Sequence, residues 1–134
     1  KGIRNEPSTD LVESLIRLAE TVLQPVREHF GKPVAISSGY RSPELCEAIG
    51  SSAKSQHAKG EAADFEIPGV DNMQLATWIS KNTIFDQLIL EYYEPGDPNS
   101  GWVHCSAVKE GSRAQVLKAT KVGGKTKYAN ILLV

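Results

Sequence analysis

Apolar residues recur at helical spacing near the start of the chain. Leucines and valines three or four residues apart predict a first amphipathic helix, at positions Leu11, Leu15, Leu18, Val22 and Val26. Pro25 should kink or divide this helix, because proline has no backbone N–H to donate. Gly31 and Pro33 should end it.

The remaining pattern predicts two further helices and a set of strands. A proline suited to a first helical turn predicts a short helix over residues 42–50, and Asp71 should cap a third helix that runs to about residue 81. Short apolar runs predict strands, the first of them buried, at residues 32–38, 62–67, 85–92 and 102–108. The runs around Gly123-Gly124 predict a terminal β-hairpin.

These elements predict an α+β fold. Short connections between the later strands favour a mainly antiparallel sheet with the helices packed on one side. By size scaling, a chain of 134 residues buries about two-thirds of its surface, which supports one core rather than two. We therefore expect a single domain over residues 1–134, with its core at about 10–108 and the C-terminal hairpin at about 113–133.

Composition narrows the classes of function. Lys and Arg number 15 against 16 Asp and Glu, a net charge of −1, so we expect no binding to nucleic acid. No apolar run approaches the length of a transmembrane helix, and we expect no membrane insertion. Two cysteines without a CxxC pair make no disulfide scaffold, and both should be free. We expect a monomer.

Three polar residues are candidates for chemistry. His57 lies in a small, polar loop, Asp64 inside the predicted strand 62–67, and His104 inside the predicted strand 102–108. A carboxylate within a strand needs a partner, and two imidazoles with one carboxylate form a ligand set that suits Zn²⁺ with one position open. Spacing alone leaves two interpretations, a metal site or two histidines satisfied by hydrogen bonds.

Three short blocks resemble the signature of a known family. They are SSGYRS at residues 37–42, SQHAKGEAAD at 55–64 and WVHCS at 102–106. The pattern SxHxxGxAxD, followed about 40 residues later by WxH, resembles the M15 family of zinc peptidases, which includes D-alanyl-D-alanine carboxypeptidases and phage endolysins. The resemblance covers about residues 10–108 and implies the DD-peptidase fold, which the hedgehog signalling domain shares.

The resemblance implies a role for each polar residue of these blocks. It makes His57, Asp64 and His104 the ligands of one Zn²⁺ per chain. A peptidase of this kind also needs a carboxylate as general base beside the metal-activated water. Alignment without a gap along the preceding strand places Glu91 at the family's catalytic glutamate, with the loop before His104 as an insertion. Glu94 lies nearer to His104 in the sequence and remains the rival.

The first two blocks also imply substrate contacts. Arg41 becomes a catalytic and substrate-binding residue, because a guanidinium can pair a substrate carboxylate or stabilise a developing oxyanion. A surface arginine in a turn is the alternative. Ser55 and Gln56 become neighbouring substrate-binding residues.

The resemblance implies a zinc metallopeptidase that hydrolyses the stem peptides of peptidoglycan at the bacterial cell wall. It would act as a D,D-carboxypeptidase or as an endolysin-type endopeptidase, and the sequence does not distinguish the two. A catalytically silent zinc-containing binding module of hedgehog-like fold is the alternative. A third interpretation is a cysteine peptidase that uses Cys46 or Cys105, although neither thiol has an activating setting.

Overall fold

A computed structural model describes residues 9–40 and 56–133 of the chain. The first helix is continuous but not uniform: α1 spans Thr9–Leu18, a π-helical segment spans Ala19–Leu23, and α2 spans Gln24–Phe30. The predicted helix at residues 42–50 lies outside the described residues. Within them, no helix is both long enough and apolar enough to cross a lipid bilayer.

The first helix accommodates Pro25 through a π-helical segment, Ala19–Leu23, that precedes it. Proline cannot donate the hydrogen bond that residue 21 would accept, and its ring crowds that carbonyl. Gln24 donates its N–H to the carbonyl of Ala19, five residues back, so the preceding turn is a π-helical one. The predicted disturbance at Pro25 therefore takes this form, and the helix continues to Gly31, its C-cap residue.

The second described helix, α3, spans Asn72–Asn82. Asp71 caps it as predicted, because its carboxylate accepts the backbone N–H of Met73 at 2.8 Å. This hydrogen bond satisfies one of the amides that the first helical turn leaves without a partner.

The described strands form one six-stranded sheet in the order β1-β2-β4-β3-β5-β6. Their bounds are β1 Ala35–Ser38, β2 Ala62–Glu66, β3 Gln87–Glu91, β4 Trp102–Ser106, β5 Gln115–Val122 and β6 Lys125–Asn130. All neighbouring pairs are antiparallel except β3 and β5, which are parallel. The α+β class is therefore correct, and the mainly antiparallel sheet is a mixed one. The predicted hairpin is present as β5 and β6, and the single-domain boundary at 1–134 stays a prediction.

The prediction of a buried strand at residues 32–38 is wrong in one respect. The strand exists, but among the described strands β1 lies at the edge of the sheet and pairs with β2 alone. Ile36 is 52% exposed as a consequence. An apolar run does not by itself distinguish an edge strand from a central one, because strand order depends on long-range pairing.

The core lies on one face of the sheet, where both described helices pack as predicted. Successive side chains of a strand point to opposite faces. The face toward the helices is apolar and belongs to one buried cluster, with Ala63, Phe65, Leu88, Leu90, Val103 and Cys105 from the strands and Leu18, Val22, Val26, Leu75 and Ile79 from the helices. The polar candidates Asp64, Glu91 and His104 alternate with these positions and therefore lie on the other face.

Candidate metal centre

Two of the three predicted ligands are brought together by the pairing of β2 with β4. Asp64 lies directly opposite His104 in this antiparallel register, so their side chains emerge side by side on the open face. The two residues are 40 positions apart in the sequence. Their proximity therefore depends on this particular strand register, since a slip by one residue would move either side chain to the core face.

The third predicted ligand, His57, enters from the turn that precedes β2. Gly60 closes this turn with a φ of 69°, a left-handed conformation that suits glycine. A Cβ at position 60 would also come within 3.0 Å of the carbonyl oxygen of Leu11 in α1. The need for glycine at position 60 is therefore both conformational and steric. The turn leaves His57 only 3% exposed.

The three side chains converge on one carboxylate oxygen. His104 Nδ1 lies 2.9 Å from Asp64 Oδ1, and His57 Nε2 lies 3.5 Å from the same oxygen. One candidate ligand atom from each residue lies within 4.8 Å of those of the other two. Ligands of a tetrahedral zinc ion at about 2.05 Å stand about 3.3 Å apart, so the observed separations match the size of such a site.

Hydrogen bonding fixes which nitrogen of His57 faces the group. Its Nδ1 lies 2.7 Å from the carbonyl oxygen of Gly39, and this contact requires a proton on Nδ1. The other ring nitrogen, Nε2, then faces Asp64 Oδ1. In a protonated ring Nε2 donates to this carboxylate, and in a neutral ring its lone pair can bind a metal ion. Outer hydrogen bonds of this kind orient histidine ligands in known metal sites.

The electrostatics of Asp64 favour its ionised form. Burial opposes ionisation, but hydrogen bonds from His104 and His57 outweigh it, and the pKa of Asp64 falls well below its ordinary value. Asp64 is thus a carboxylate at neutral pH. A deprotonated oxygen beside two imidazoles is the form that a divalent metal ion requires.

Glu91 lies in the same cleft as the three candidate ligands. It stands at the end of β3, opposite Trp102 of β4. Burial raises the pKa of Glu91 above its ordinary value and the charge of Asp64 raises it further, while His104 acts in the opposite direction. Gly101 makes this corner possible, because with a φ of 64° it packs where any Cβ would overlap the carbonyl oxygen of Glu91.

Glu94, the rival base, lies elsewhere. It is exposed in the loop between β3 and β4, where it forms an isolated β-bridge with Asp97. Glu94 lines a different cavity, together with Met73 and Tyr93, and not the cleft of the candidate ligands. Among the described residues, Glu91 is therefore the better placed of the two glutamates.

The other predicted residues have different outcomes. Arg41, Ser55 and Cys46 lie outside the described residues. Gln56 lines the cleft as expected. Cys105 is fully buried on the core face, and burial raises the pKa of its thiol far above the ordinary value, so it lacks the features of a nucleophile.

An ion pair beside the cleft, between the buried Asp86 and the exposed Arg113, was not predicted from the sequence. The carboxylate of Asp86 accepts hydrogen bonds from Arg113 Nε at 3.0 Å and Nη2 at 2.7 Å, from the Arg113 backbone N–H at 3.0 Å, and from Gln56 Nε2 at 2.9 Å. The Arg113 hydrogen bonds are the main reason why the pKa of Asp86 falls to about 2. An aspartate at the start of an apolar strand was the available signal, the same one that singled out Asp64.

The cleft has a volume of about 620 Å³ and two kinds of wall. Mostly polar side chains line the side of β2, β3 and β4, where Ile89 and Trp102 are the exceptions, and Leu117 and Tyr128 line the side of β5 and β6. The lining residues are Gln56, His57, Asp64, Gln87, Ile89, Glu91, Trp102, His104, Leu117 and Tyr128. The contributions of Leu117 and Tyr128 were not predicted from the sequence. A ligand set for a metal, a carboxylate nearby and a cavity of this size make up the site of a metal-dependent hydrolase.

The comparisons with known proteins agree with this class. The sequence model of the family described as Peptidase M15 matches residues 1–106. The chain therefore belongs to the peptidase M15 family, as the three sequence blocks predicted. Membership implies a zinc metallopeptidase, and His57, Asp64 and His104 form a group that can hold the metal ion. No curated protein matches the chain.

Proposed function

We propose that the protein is a zinc-dependent peptidase that hydrolyses stem peptides of bacterial peptidoglycan. The observation that carries the proposal is the convergence of His57, Asp64 and His104 in a cleft that also holds Glu91. Support for the peptidoglycan substrate comes from the resemblance of the three sequence blocks to D,D-carboxypeptidases and endolysins. Both an exopeptidase and an endopeptidase fit this geometry.

His57 through Nε2, Asp64 through Oδ1 and His104 through Nδ1 would hold the zinc ion, one per chain. When bound, zinc supplies Lewis-acid activation of a water molecule and of the scissile carbonyl group. The hydrogen bond from His57 Nδ1 to Gly39 keeps Nε2 directed at the site. The strand pairing of Asp64 with His104 sets the spacing of the other two ligands.

Glu91 is proposed as the general base. Its carboxylate takes a proton from the attacking water as the new C–O bond forms, and delivers a proton to the amine nitrogen as the C–N bond breaks. A raised pKa brings a carboxylate closer to the acidity at which it can both accept and return a proton near neutral pH. The location of Glu91 in the ligand cleft also counts against a silent binding module.

Arg41, Ser55 and Gln56 are proposed as substrate-binding residues, with Arg41 also stabilising negative charge in the reaction. Gln56 lines the cleft, and its amide nitrogen already donates to Asp86. A contact between Gln56 and the substrate would therefore use its carbonyl oxygen, which can accept a peptide N–H.

Digestion of defined muropeptides, followed by mass spectrometry, tests this proposal. The zinc-loaded protein should release a terminal D-alanine or cut within the stem, and removal of the metal should abolish either product. Re-addition of zinc should restore it. An intact set of muropeptides after incubation with the fully zinc-loaded protein would contradict the proposal.

A further inference from the structure

Two glutamine side chains line the cleft, and the amide nitrogen of each is hydrogen-bonded to another side chain. Gln56 Nε2 donates to Asp86 Oδ2 at 2.9 Å and to Glu61 Oε1 at 3.4 Å. Gln87 Nε2 donates to Gln115 Oε1 at 2.9 Å. The donors and the acceptor of an amide group are different atoms in one plane, so a fixed nitrogen also fixes the position of the carbonyl oxygen.

Arg113 connects the two acceptors, although it is not among the residues that line the cleft. Its Nη2 donates to Asp86 Oδ2 at 2.7 Å, and its Nη1 donates to Gln115 Oε1 at 3.4 Å. Its Nε and its backbone N–H both donate to Asp86 Oδ1 at 3.0 Å. A planar guanidinium that binds a carboxylate through two nitrogens fixes its orientation. Arg113 therefore orients both acceptors, and through them both glutamine amides.

Both glutamines lie at the same end of β3, within reach of the metal group. Gln87 is the first residue of this strand, and Gln56 contacts Asp86, the residue before it. Ile89, two residues further along, lies directly opposite His104. The rise along a strand and the spacing between strands place Gln87 about 8 Å from His104. This distance corresponds to two or three residues of an extended peptide, at about 3.4 Å per residue.

The described lining of the cleft offers mainly hydrogen-bond acceptors to a ligand. Asp64 and Glu91 contribute carboxylates, and no lysine or arginine is among the described lining residues. Because the amide nitrogens of Gln56 and Gln87 already donate to protein acceptors, their carbonyl oxygens are the atoms suited to a ligand. A peptide backbone carries one N–H donor on every residue except proline, so it matches a set of acceptors of this kind.

We infer that Gln56 and Gln87 form a subsite for backbone N–H groups of the peptide substrate, two or three residues from the scissile bond, with Arg113 as its positioning residue. The inference rests on the proposed peptidase function and adds a second glutamine and the side chain that orients both. Arg113 and Gln115 lie beyond residues 1–106, the segment that matches the family model, so this support for the subsite is not part of the match.

Paired stem peptides test the subsite. One peptide is unmodified, and in the other a single backbone N–H is replaced by an ester oxygen, which removes one donor and keeps the chain length. Every bond except the scissile one is varied in turn. At one or more positions the ester should raise the KM of the zinc-loaded protein about tenfold, because an acceptor loses its partner. The kcat should change less than about threefold, because this hydrogen bond lies away from the reacting atoms.

Variants of the two glutamines identify the acceptor. Gln56→Met or Gln87→Met should remove the difference between the two peptides at the position whose N–H that glutamine accepts. A general loss of stability would affect both peptides equally, so the ratio of their KM values reports the contact itself.

Variants of Arg113 test the positioning role. Arg113→Met should reduce the KM ratio to below about threefold, with about one zinc ion still bound per chain. Arg113→Lys should not restore the ratio, because lysine lacks the planar fork. Lys109→Met removes an exposed cation from the same connection between β4 and β5 and should keep the ratio of the unaltered protein. If Arg113→Met does not fold, Gln115→Met takes its place, because it removes the acceptor of Gln87 and keeps the Asp86 ion pair.

The outcomes separate this inference from the proposed function. If Gln56→Met and Gln87→Met leave the KM ratio unchanged, or no ester raises KM, while hydrolysis continues, the subsite is wrong and the peptidase stands. A ratio that is lost in a glutamine variant but kept in the folded Arg113 or Gln115 variant overturns the positioning role. If the unaltered protein cleaves neither peptide, calorimetry measures their binding to it in the zinc-loaded form. Tighter binding of the unmodified peptide that is lost on Gln87→Met or Gln56→Met supports the subsite alone, and equal or absent binding overturns it.

Discussion

The two faces of the sheet differ most clearly at two adjacent residues of β2, Asp64 and Phe65. Phe65 is fully buried and packs with helix residues in the main core. Asp64 points the other way, into a cleft, where it contacts two imidazoles. One face therefore contributes the apolar burial that stabilises the fold, and the other keeps ionisable groups where a substrate can reach them.

The difference shows how the fold holds charged groups without unfolding. Burial of a carboxylate is costly unless hydrogen bonds or opposite charges compensate for it. Both aspartates of the cleft region, the partly buried Asp64 and the buried Asp86, meet this requirement, Asp64 through His57 and His104 and Asp86 through Arg113. The helix-covered face carries no such requirement, because its described strand positions are apolar.

The largest expected effect on stability is at the core face. Phe65→Ala should lower the free energy of unfolding by about 3–5 kcal/mol, because it removes a fully buried ring and leaves a cavity. Urea denaturation measures the change. Ile36→Ala is the control, because Ile36 pairs with Phe65 but is 52% exposed, and its cost should stay below about 1 kcal/mol. Equal costs would show that this face is not the core.

Zinc binding on the cleft face of the sheet should have the next largest effect on stability. The protein should bind about one zinc ion, and free zinc at 1,000 times the Kd should add about 4 kcal/mol of stability. Metal analysis and melting temperatures with and without a chelator measure both. Asp64→Asn should abolish the thermal response. Less than about half an equivalent of zinc in the unaltered protein would contradict the site.

Substitution of Asp86 tests whether its hydrogen bonds with Arg113 offset the cost of burying a carboxylate beside the cleft. Its pKa of about 2 lies below the unfolded value of about 3.9, so the ionised form adds stability above about pH 4 that is lost as the pH falls toward 2. In zinc-free protein, Asp86→Asn should cost about 1.5–3 kcal/mol at pH 7. Glu110→Gln, at an exposed loop residue, should cost below about 0.5 kcal/mol.

The pH dependence of the free energy of unfolding shows whether ionised Asp86 contributes to stability. Urea denaturation at pH 7, 4 and 2.5 measures the difference in the free energy of unfolding between the unaltered protein and Asp86→Asn. This difference should become smaller toward pH 2.5, because the Asp86 carboxyl of the unaltered protein then becomes protonated. A gap that stays constant over this range would mean that ionisation of Asp86 contributes nothing to stability.

Local pattern was sufficient to predict most of the elements. The apolar spacing of the first helix, the cap at Asp71 and the turn at Gly123-Gly124 each depend on neighbouring residues, and each was found where expected. The resemblance to M15 peptidases pointed to His57, Asp64 and His104, which the structure brings together as a group that can hold a metal ion. Such features are readable because their physical causes lie within a few residues of one another.

Long-range pairing explains what the sequence did not predict. The parallel pairing of β3 with β5 and the exposed edge position of β1 depend on strand order. The pairing of β3 with β5 also brings Tyr128 to the cleft and Arg113 to Asp86. Arg113 and Asp86 are 27 positions apart in the sequence. No local propensity encodes these contacts, because they follow from how distant segments pack.

The smallest effect should come from Glu94. Because Glu94 lines a separate cavity and is exposed, Glu94→Gln should change the turnover number by less than about threefold. Steady-state kinetics on a cleaved muropeptide measure the change. A loss of 100-fold or more would move the general base to this residue.

The most direct test of the account is turnover and zinc content measured together on Glu91→Gln. Glutamine has nearly the same volume and leaves His57, Asp64 and His104 in place, so full zinc occupancy is expected. It cannot accept a proton from water, and general-base catalysis contributes about 10²–10⁴-fold. We expect at least a 100-fold loss of turnover with about one zinc per chain. Unchanged turnover in the zinc-loaded variant would contradict it.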